Sequence, residues 1–186
     1  MKKKCRVFVA ILVPPEIRRA IVRWQKEHAE LGADWRMRWK KPANLHVTLI
    51  GPWRAGNTEI SAAKRALMRA AEDAQPFMLD IRKVQWGPPS MKPRLIWSAG
   101  RTPKAFGALK RSIERELLSD PKTGARIRGR FPKIAHITVA NFKPNRRLPP
   151  LDERVDWAFE VRSFAFIKST RTSASTKYRI VGQFDF

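Results

Sequence analysis

Two short segments, Leu45-His46-Val47-Thr48-Leu49 and Ala135-His136-Ile137-Thr138-Val139, repeat one pattern: apolar strand residues interrupted by histidine and threonine. Residues two apart on a strand share a face, so each segment presents an imidazole beside a hydroxyl while its apolar residues turn to the core. Imidazole titrates near neutrality, which lets one ring start neutral as a base and the other start protonated as an acid. Opening a phosphodiester needs such a pair, one group to activate the attacking oxygen and one to protonate the departing oxygen. Threonine hydroxyls and backbone N–H groups would hold the nonbridging oxygens, and the scheme calls for no metal and no cofactor. A lone H-x-T reads as readily as an ordinary strand in which β-branched threonine is favoured. The pair carries the reading, because two of only three histidines fall in matching contexts 90 residues apart (136 − 46). The third, His28, falls on the apolar face of a helix, where packing is its expected role.

The charge distribution points the same way. The chain has 39 Lys plus Arg against 16 Asp plus Glu, a formal charge of +23, which suits a polyanionic partner. No acid occurs from Trp35 to Thr58 or from Pro121 to Leu151, the two stretches that contain the paired histidines, whereas Arg38, Lys40, Lys41, Arg130, Lys133 and Lys143 do. Nucleic acid is therefore the expected ligand class. Trp35, Trp39, Trp53, Trp86 and Trp97 are read as either base-stacking or core residues, and Trp39 and Trp53, which flank the first histidine strand amid basic residues, are the first candidates for stacking. Cys5 is a lone cysteine, so no intrachain disulfide can form, and a cytoplasmic compartment is expected. The run Val7 to Val13 after Lys2-Lys3-Lys4 imitates a signal peptide, but it meets Pro14-Pro15 with no small-residue cleavage pattern and is too short to span a membrane. A first strand is the better reading.

The elements that must position these groups follow from periodicity. A strand is expected at about 6–13, then a helix from Pro15 with Ile17, Ile21, Trp24, His28 and Leu31 on its buried face. A basic connector, 34–41, leads to a strand from Asn44 to Ile50 that Gly51-Pro52 should end. Thr58 is the expected cap of a second helix bearing Ile60, Ala63, Leu67, Ala70 and Ala74. Residues 77–86 alternate and then shift phase at Val84 and Trp86, which predicts a bulged strand, followed by a strand at 94–99. Thr102-Pro103 opens a third helix with Phe106, Leu109, Ile113 and Leu117; a loop at 121–130, a strand at 134–141 and a hairpin of 158–168 with 177–185 complete the chain. This order is not strict βαβ alternation, so the fold class is α+β in one domain, 1–186, with a mixed or antiparallel sheet.

Arg6-Val7-Phe8-Val9-Ala10, Pro14-Pro15-Glu16, Asn44-Leu45-His46-Val47-Thr48-Leu49, Pro93-Arg94-Leu95-Ile96-Trp97, His136-Ile137-Thr138-Val139-Ala140 and Lys177-Tyr178-Arg179-Ile180 follow one another in an order that resembles the two-histidine phosphoesterases. The resemblance is to the RNA 2′,3′-cyclic phosphodiesterases, also called 2′-5′ RNA ligases, and covers nearly the whole chain. It implies two pseudo-symmetric lobes, each an antiparallel sheet with helices outside, facing across a central cleft. It implies hydrolysis of a ribose 2′,3′-cyclic phosphate to a 2′-phosphate, with His46 as proton donor, His136 as proton acceptor, Thr48 and Thr138 on the phosphate, and weak 2′-5′ ligation as a side reaction. The implied partners are RNA ends or nucleotides carrying a cyclic phosphate, tRNA fragments among them, and the expected protein is a monomer without membrane attachment. One departure stands out: Asn141 occupies the place where many members carry a phosphate-binding arginine. An amide cannot make a guanidinium's charged, bidentate contact, so Lys143 and Arg130 are the candidates to compensate. A non-catalytic single-stranded RNA-binding protein on the same fold is the rival reading.

Overall fold

The protein was analysed as a computed structural model that describes residues 4–35, 37–88, 92–127, 134–143, 148–172 and 176–186. Among the described residues nine strands form one sheet in which every ladder is antiparallel. In chain order they are β1 (Cys5–Leu12), β2 (Arg38–Trp39), β3 (His46–Ala55), β4 (Phe77–Gly87), β5 (Leu95–Ala99), β6 (His136–Asn141), β7 (Asp152–Val161), β8 (Ser163–Arg171) and β9 (Thr176–Asp185). Helices α1 (Pro15–Glu27) and α2 (Ala29–Trp35), followed by a 3₁₀ turn at Pro42–Asn44, lie between β1 and β3; α3 (Asn57–Glu72) precedes β4; α4 (Lys104–Ser119) and α5 (Gly124–Ile127) precede β6.

The spatial order β7-β4-β5-β6-β3-β1-β8-β9, with β2 on β6, divides into two four-strand halves. They meet through the one register pair Val47↔Ile137. The α+β class holds, and the two histidine strands are the inner edges of the two halves. Their local structure is also matched. From histidine onward both strands run half-buried, buried, half-buried, buried, buried, half-buried over six residues, His46–Gly51 and His136–Asn141. Both carry an extra residue at the same place, because Ala10 and Val9 pair with Thr48 and Ile50 while Trp97 and Ile96 pair with Thr138 and Ala140. A bulge there reverses the facing of everything beyond it.

The core lies between the sheet and its helices. Val7, Val9, Ile11, Val47, Leu49, Ile137 and Val139 face it, met by Ile17, Ile21 and Trp24 of α1, Ala63, Ala66, Leu67 and Ala70 of α3, and Phe106 and Ile113 of α4. Phe8, Ala10, Ala165 and Ile167 form a smaller buried cluster on the opposite face of β1. A strand covered on both sides reads as an unbroken apolar run, which is why β1 imitates a secretion signal. Among the described residues no helix is long and apolar enough to cross a membrane. His28 is a packing residue, as expected: it stacks on Trp24 at 4.0 Å and sets Nε2 2.7 Å from the Glu153 carboxylate, which also accepts from Trp24 Nε1 at 2.7 Å.

Several expectations need correction. Gly51 and Pro52 do not end β3, which continues to Ala55; the register slips there, so proline's missing N–H costs no ladder bond. Thr58 is not the cap of α3, whose N-cap is Gly56, with the Glu59 side chain accepting the Gly56 N–H at 3.0 Å. The stretch 158–168 is not one strand: β7 ends at Val161 on β4, and β8 begins at Ser163 on β1, so Arg162 marks a crossing between the halves, while β8 and β9 do form the hairpin. The pattern did not reveal α2, α5 or β2, each of seven residues or fewer. The bulge in β4 is present, between Ile81 and Lys83.

Gly100, next to the β5 residue that pairs with His136, is a tight point: a Cβ there would lie 1.8 Å from the Asp80 carbonyl oxygen. A backbone clash cannot be relieved by a rotamer change, so Gly100→Ala should cost about 1–3 kcal/mol. In a chain of this size that lowers Tm by about 2–12 °C. Thermal unfolding followed by circular dichroism checks it; an unchanged Tm contradicts it.

Candidate active site

Val47↔Ile137 is an antiparallel pair, so the register sets His46 opposite Thr138 and Thr48 opposite His136. Directly opposed residues project to the same side of a sheet. All four side chains therefore share the face away from the helices, related by a local two-fold through the Val47–Ile137 rung. All four are half-buried.

Each imidazole is anchored alike. His46 Nδ1–H donates to the Asn44 carbonyl at 2.8 Å, and His136 Nδ1–H donates to the Ile134 carbonyl at 3.0 Å, two residues upstream in both cases. A carbonyl only accepts, so the neutral rings carry hydrogen on Nδ1 and keep the Nε2 lone pair free. Asn44 is itself fixed, since its amide donates to the Thr176 carbonyl at 2.9 Å and ties the start of β9 beside His46. Aromatic rings brace both imidazoles. Phe8 and Tyr178 sit 5.0 and 5.5 Å from His46, and Trp97 sits 4.5 Å from His136. The Trp97 indole lies flat on Gly87, where a Cβ would come within 2.7 Å of it.

A cleft of about 730 Å³ opens over this face, walled by His46, Thr48, Phe8, Trp39, Asn141 and Tyr178, among others. Among the described residues six cations also wall it, Arg6, Arg38, Lys40, Lys41, Arg94 and Arg171, and no carboxylate does. His136 and Thr138 are not part of that wall; the register of β6 brings them to the same face. Burial pushes the His46 imidazolium down to about 4; the Asn44 carbonyl opposes this, and the charges of Lys40 and His136 add to it. His136 is lowered too, by burial against the pull of the Ile134 carbonyl. Lys40 is lowered by burial and then by Arg38 and Arg171. The resting site thus holds two neutral imidazoles in a field that attracts anions. A bound phosphate would offset the cations and restore a proton to one ring.

The remaining candidates divide. Asn141 lines the cleft between two arginine-bearing strands: Arg38 of β2 is its register partner, and Arg94 precedes Leu95, its partner on β5. Trp39 lines the cleft, half-buried. Trp53 does not: it is 2% exposed, faces the core with its register partner Val7, and stacks on Phe166 at 5.6 Å, so it offers no face to a base. Lys143 is exposed past the end of β6 and is not in the wall, and Arg130 lies outside the described residues. Sequence reasoning singled out neither Arg6 nor Arg171 as cleft cations; they come from β1 and β8, far from either histidine in the chain, and only strand pairing brings them in. Arg38 and Lys40 did carry a signal, the acid-free stretch around His46.

Comparison with known proteins gives the family and the fold. The model of the 2′-5′ RNA ligase superfamily matches residues 13–173. A Thermus thermophilus protein named RNA 2′,3′-cyclic phosphodiesterase is 28% identical, over 96% of this chain and 89% of its own. One of the same name from Methanothermobacter thermautotrophicus is 26% identical, over 82% and 79%. In fold, the chain is similar to a solved structure from Thermus thermophilus, with TM-score 0.78, 22% identity and 97% of both chains covered. It is likewise similar to LigT of E. coli solved with 3′-AMP, with TM-score 0.75, 23% identity and 98% of both chains covered. With that family match spanning most of its length and both H-x-T strands, the chain belongs to the 2′-5′ RNA ligase superfamily.

Proposed function

We propose that this protein opens ribose 2′,3′-cyclic phosphates at RNA ends and leaves a 2′-phosphate. The observation that carries the reading is the rung Val47↔Ile137, whose register puts two imidazoles anchored alike and two threonines on one face of the sheet. His136 Nε2 takes a proton from water as the water oxygen bonds to phosphorus. The P–O3′ bond breaks, and His46, protonated once the anion is bound, gives its Nε2 proton to the leaving O3′. Thr48 and Thr138 donate to the nonbridging oxygens. An RNA 5′-hydroxyl in place of water would give a 2′-5′ linkage by the same proton transfers, so the scheme includes weak ligation as a side reaction. RNA ends, tRNA fragments included, and free nucleoside cyclic phosphates are the substrates. The names of the two curated relatives support this reading.

Asn141 in place of an arginine also sustains the second reading, an RNA-binding protein without turnover. The cations around Asn141 argue for catalysis, because Arg38, Lys40 and Arg94 supply positive charge on its flanks. Lys40 is the best placed: it is half-buried, its N–H donates to the Val139 carbonyl at 2.9 Å, and its charge acts on His46.

Three outcomes follow. Replacing His46 or His136 by alanine should lower kcat/KM for a nucleoside 2′,3′-cyclic phosphate by about 10²- to 10⁴-fold, with chelators without effect on the parent protein; near-normal rates in both variants would sink the acid–base scheme. Lys40→Met should raise KM for the same substrate, with kcat less affected, whereas unchanged constants would remove Lys40 from phosphate binding. Proton NMR of the imidazoles should place the His46 midpoint near 4 in free protein. Inorganic phosphate should move it up by about one unit or more; a midpoint indifferent to phosphate would contradict the site. The sign for stability follows from the same depression. The unfolded chain takes up this proton first as pH falls from about 6.5, so stability declines toward pH 4.

A further inference from the structure

A second groove, of about 620 Å³, lies outside the cleft. Arg18, Arg19, Val22, Arg23 and Lys26 on one stripe of α1 wall it, and Pro42 closes it. From Arg18 to Lys26 the stripe runs roughly 12 Å along the helix axis. Arg19, Arg23 and Lys26 are exposed. None of the four cations pairs with a carboxylate among the described residues, and Arg18 Nε is buried without a partner.

The groove adjoins the cleft at one turn of the chain. Lys41, exposed, walls the cleft, and the next residue, Pro42, walls the groove, so one 3₁₀ turn is the rim of both. The same turn ends in Asn44, whose carbonyl holds His46. Gln25 of α1 bridges the two regions from below, donating to the carbonyls of Lys40 and Val139 at 3.1 Å each. Unneutralised cations therefore run from His46 over Lys40 and Lys41 onto α1. Crowded like charges favour a bound polyanion, and the aliphatic stems of the arginines give it an apolar floor.

We propose that the α1 groove binds the sugar–phosphate backbone of the RNA strand leading into the cyclic phosphate, so that the protein grips its substrate at two places. This rests on the reading of the cleft as the site for the cyclic end. A nucleoside cyclic phosphate reaches only the cleft; an oligonucleotide occupies both.

The test compares Arg19→Glu/Arg23→Glu with the parent protein on two substrates, a nucleoside 2′,3′-cyclic phosphate and an oligoribonucleotide with the same end. The double variant should lose on the order of tenfold in kcat/KM on the oligonucleotide, and its log–log salt dependence should flatten by about 1.4 for two lost phosphate contacts. On the mononucleotide it should match the parent. Lys64→Glu/Arg65→Glu on exposed positions of α3 makes the same charge change elsewhere and should leave both rates near the parent's. Equal losses on both substrates, an unchanged oligonucleotide salt slope, or an equal oligonucleotide loss in the α3 variant would overturn the groove. Arg19→Gln/Arg23→Gln, a milder change, should shift the oligonucleotide rate in the same direction if the reversed charges disturb folding. If the parent turns over neither substrate, the cleft reading fails. Direct oligonucleotide binding by parent and variant, with the same salt slopes, then decides the groove alone.

Discussion

One rung of a β-ladder, Val47 against Ile137, holds the chemistry of this protein together. It is the register pair through which the two half-sheets meet, and both of its side chains are fully buried. Apolar contact fixes this register, because a slip of one residue would turn the whole histidine strand over. Once Val47 and Ile137 face the core, His46, Thr48, His136 and Thr138 have no choice but the other face. The core and the site are two sides of one alternation.

The electrostatics follow from the same geometry. Burial disfavours a charge on either ring more than the carbonyls at Nδ1 favour it, so the protein favours their neutral forms. Among the described residues, the cations around them have no carboxylates to answer them in the cleft wall. Such a site is poor at keeping a proton and suited to attracting an anion; in the proposed mechanism a bound phosphate would restore the proton and so complete the acid.

Much of this was legible in the residues. Alternation marked both histidine strands, and the phase shift at Val84 marked the bulge in β4. The ordered motifs gave the family, which the match over residues 13–173 bears out. What was not legible depended on contacts between distant segments. Trp53 reads as a stacking residue because it sits among basic residues, but strand register, not neighbourhood, turns it into the core. Arg162 carries no signal that a run of apolar residues crosses there from one half-sheet to the other. Thr58 resembled a cap by type, yet Glu59 reaching back to the Gly56 N–H satisfied the helix end first. The matched bulges in β3 and β6 leave a fainter mark than the one in β4, a single break of alternation at Leu49-Ile50 and at Val139-Ala140.

The claim that the two imidazoles act as one unit on one phosphorus atom is open to direct measurement. A double-mutant cycle on kcat/KM for a nucleoside 2′,3′-cyclic phosphate, using His46→Ala, His136→Ala and both together, is that measurement. If the rings cooperate, the double variant is about as slow as the slower single one. Losses that multiply across the cycle would mean that the two histidines work independently, and the account built on their shared rung would be wrong.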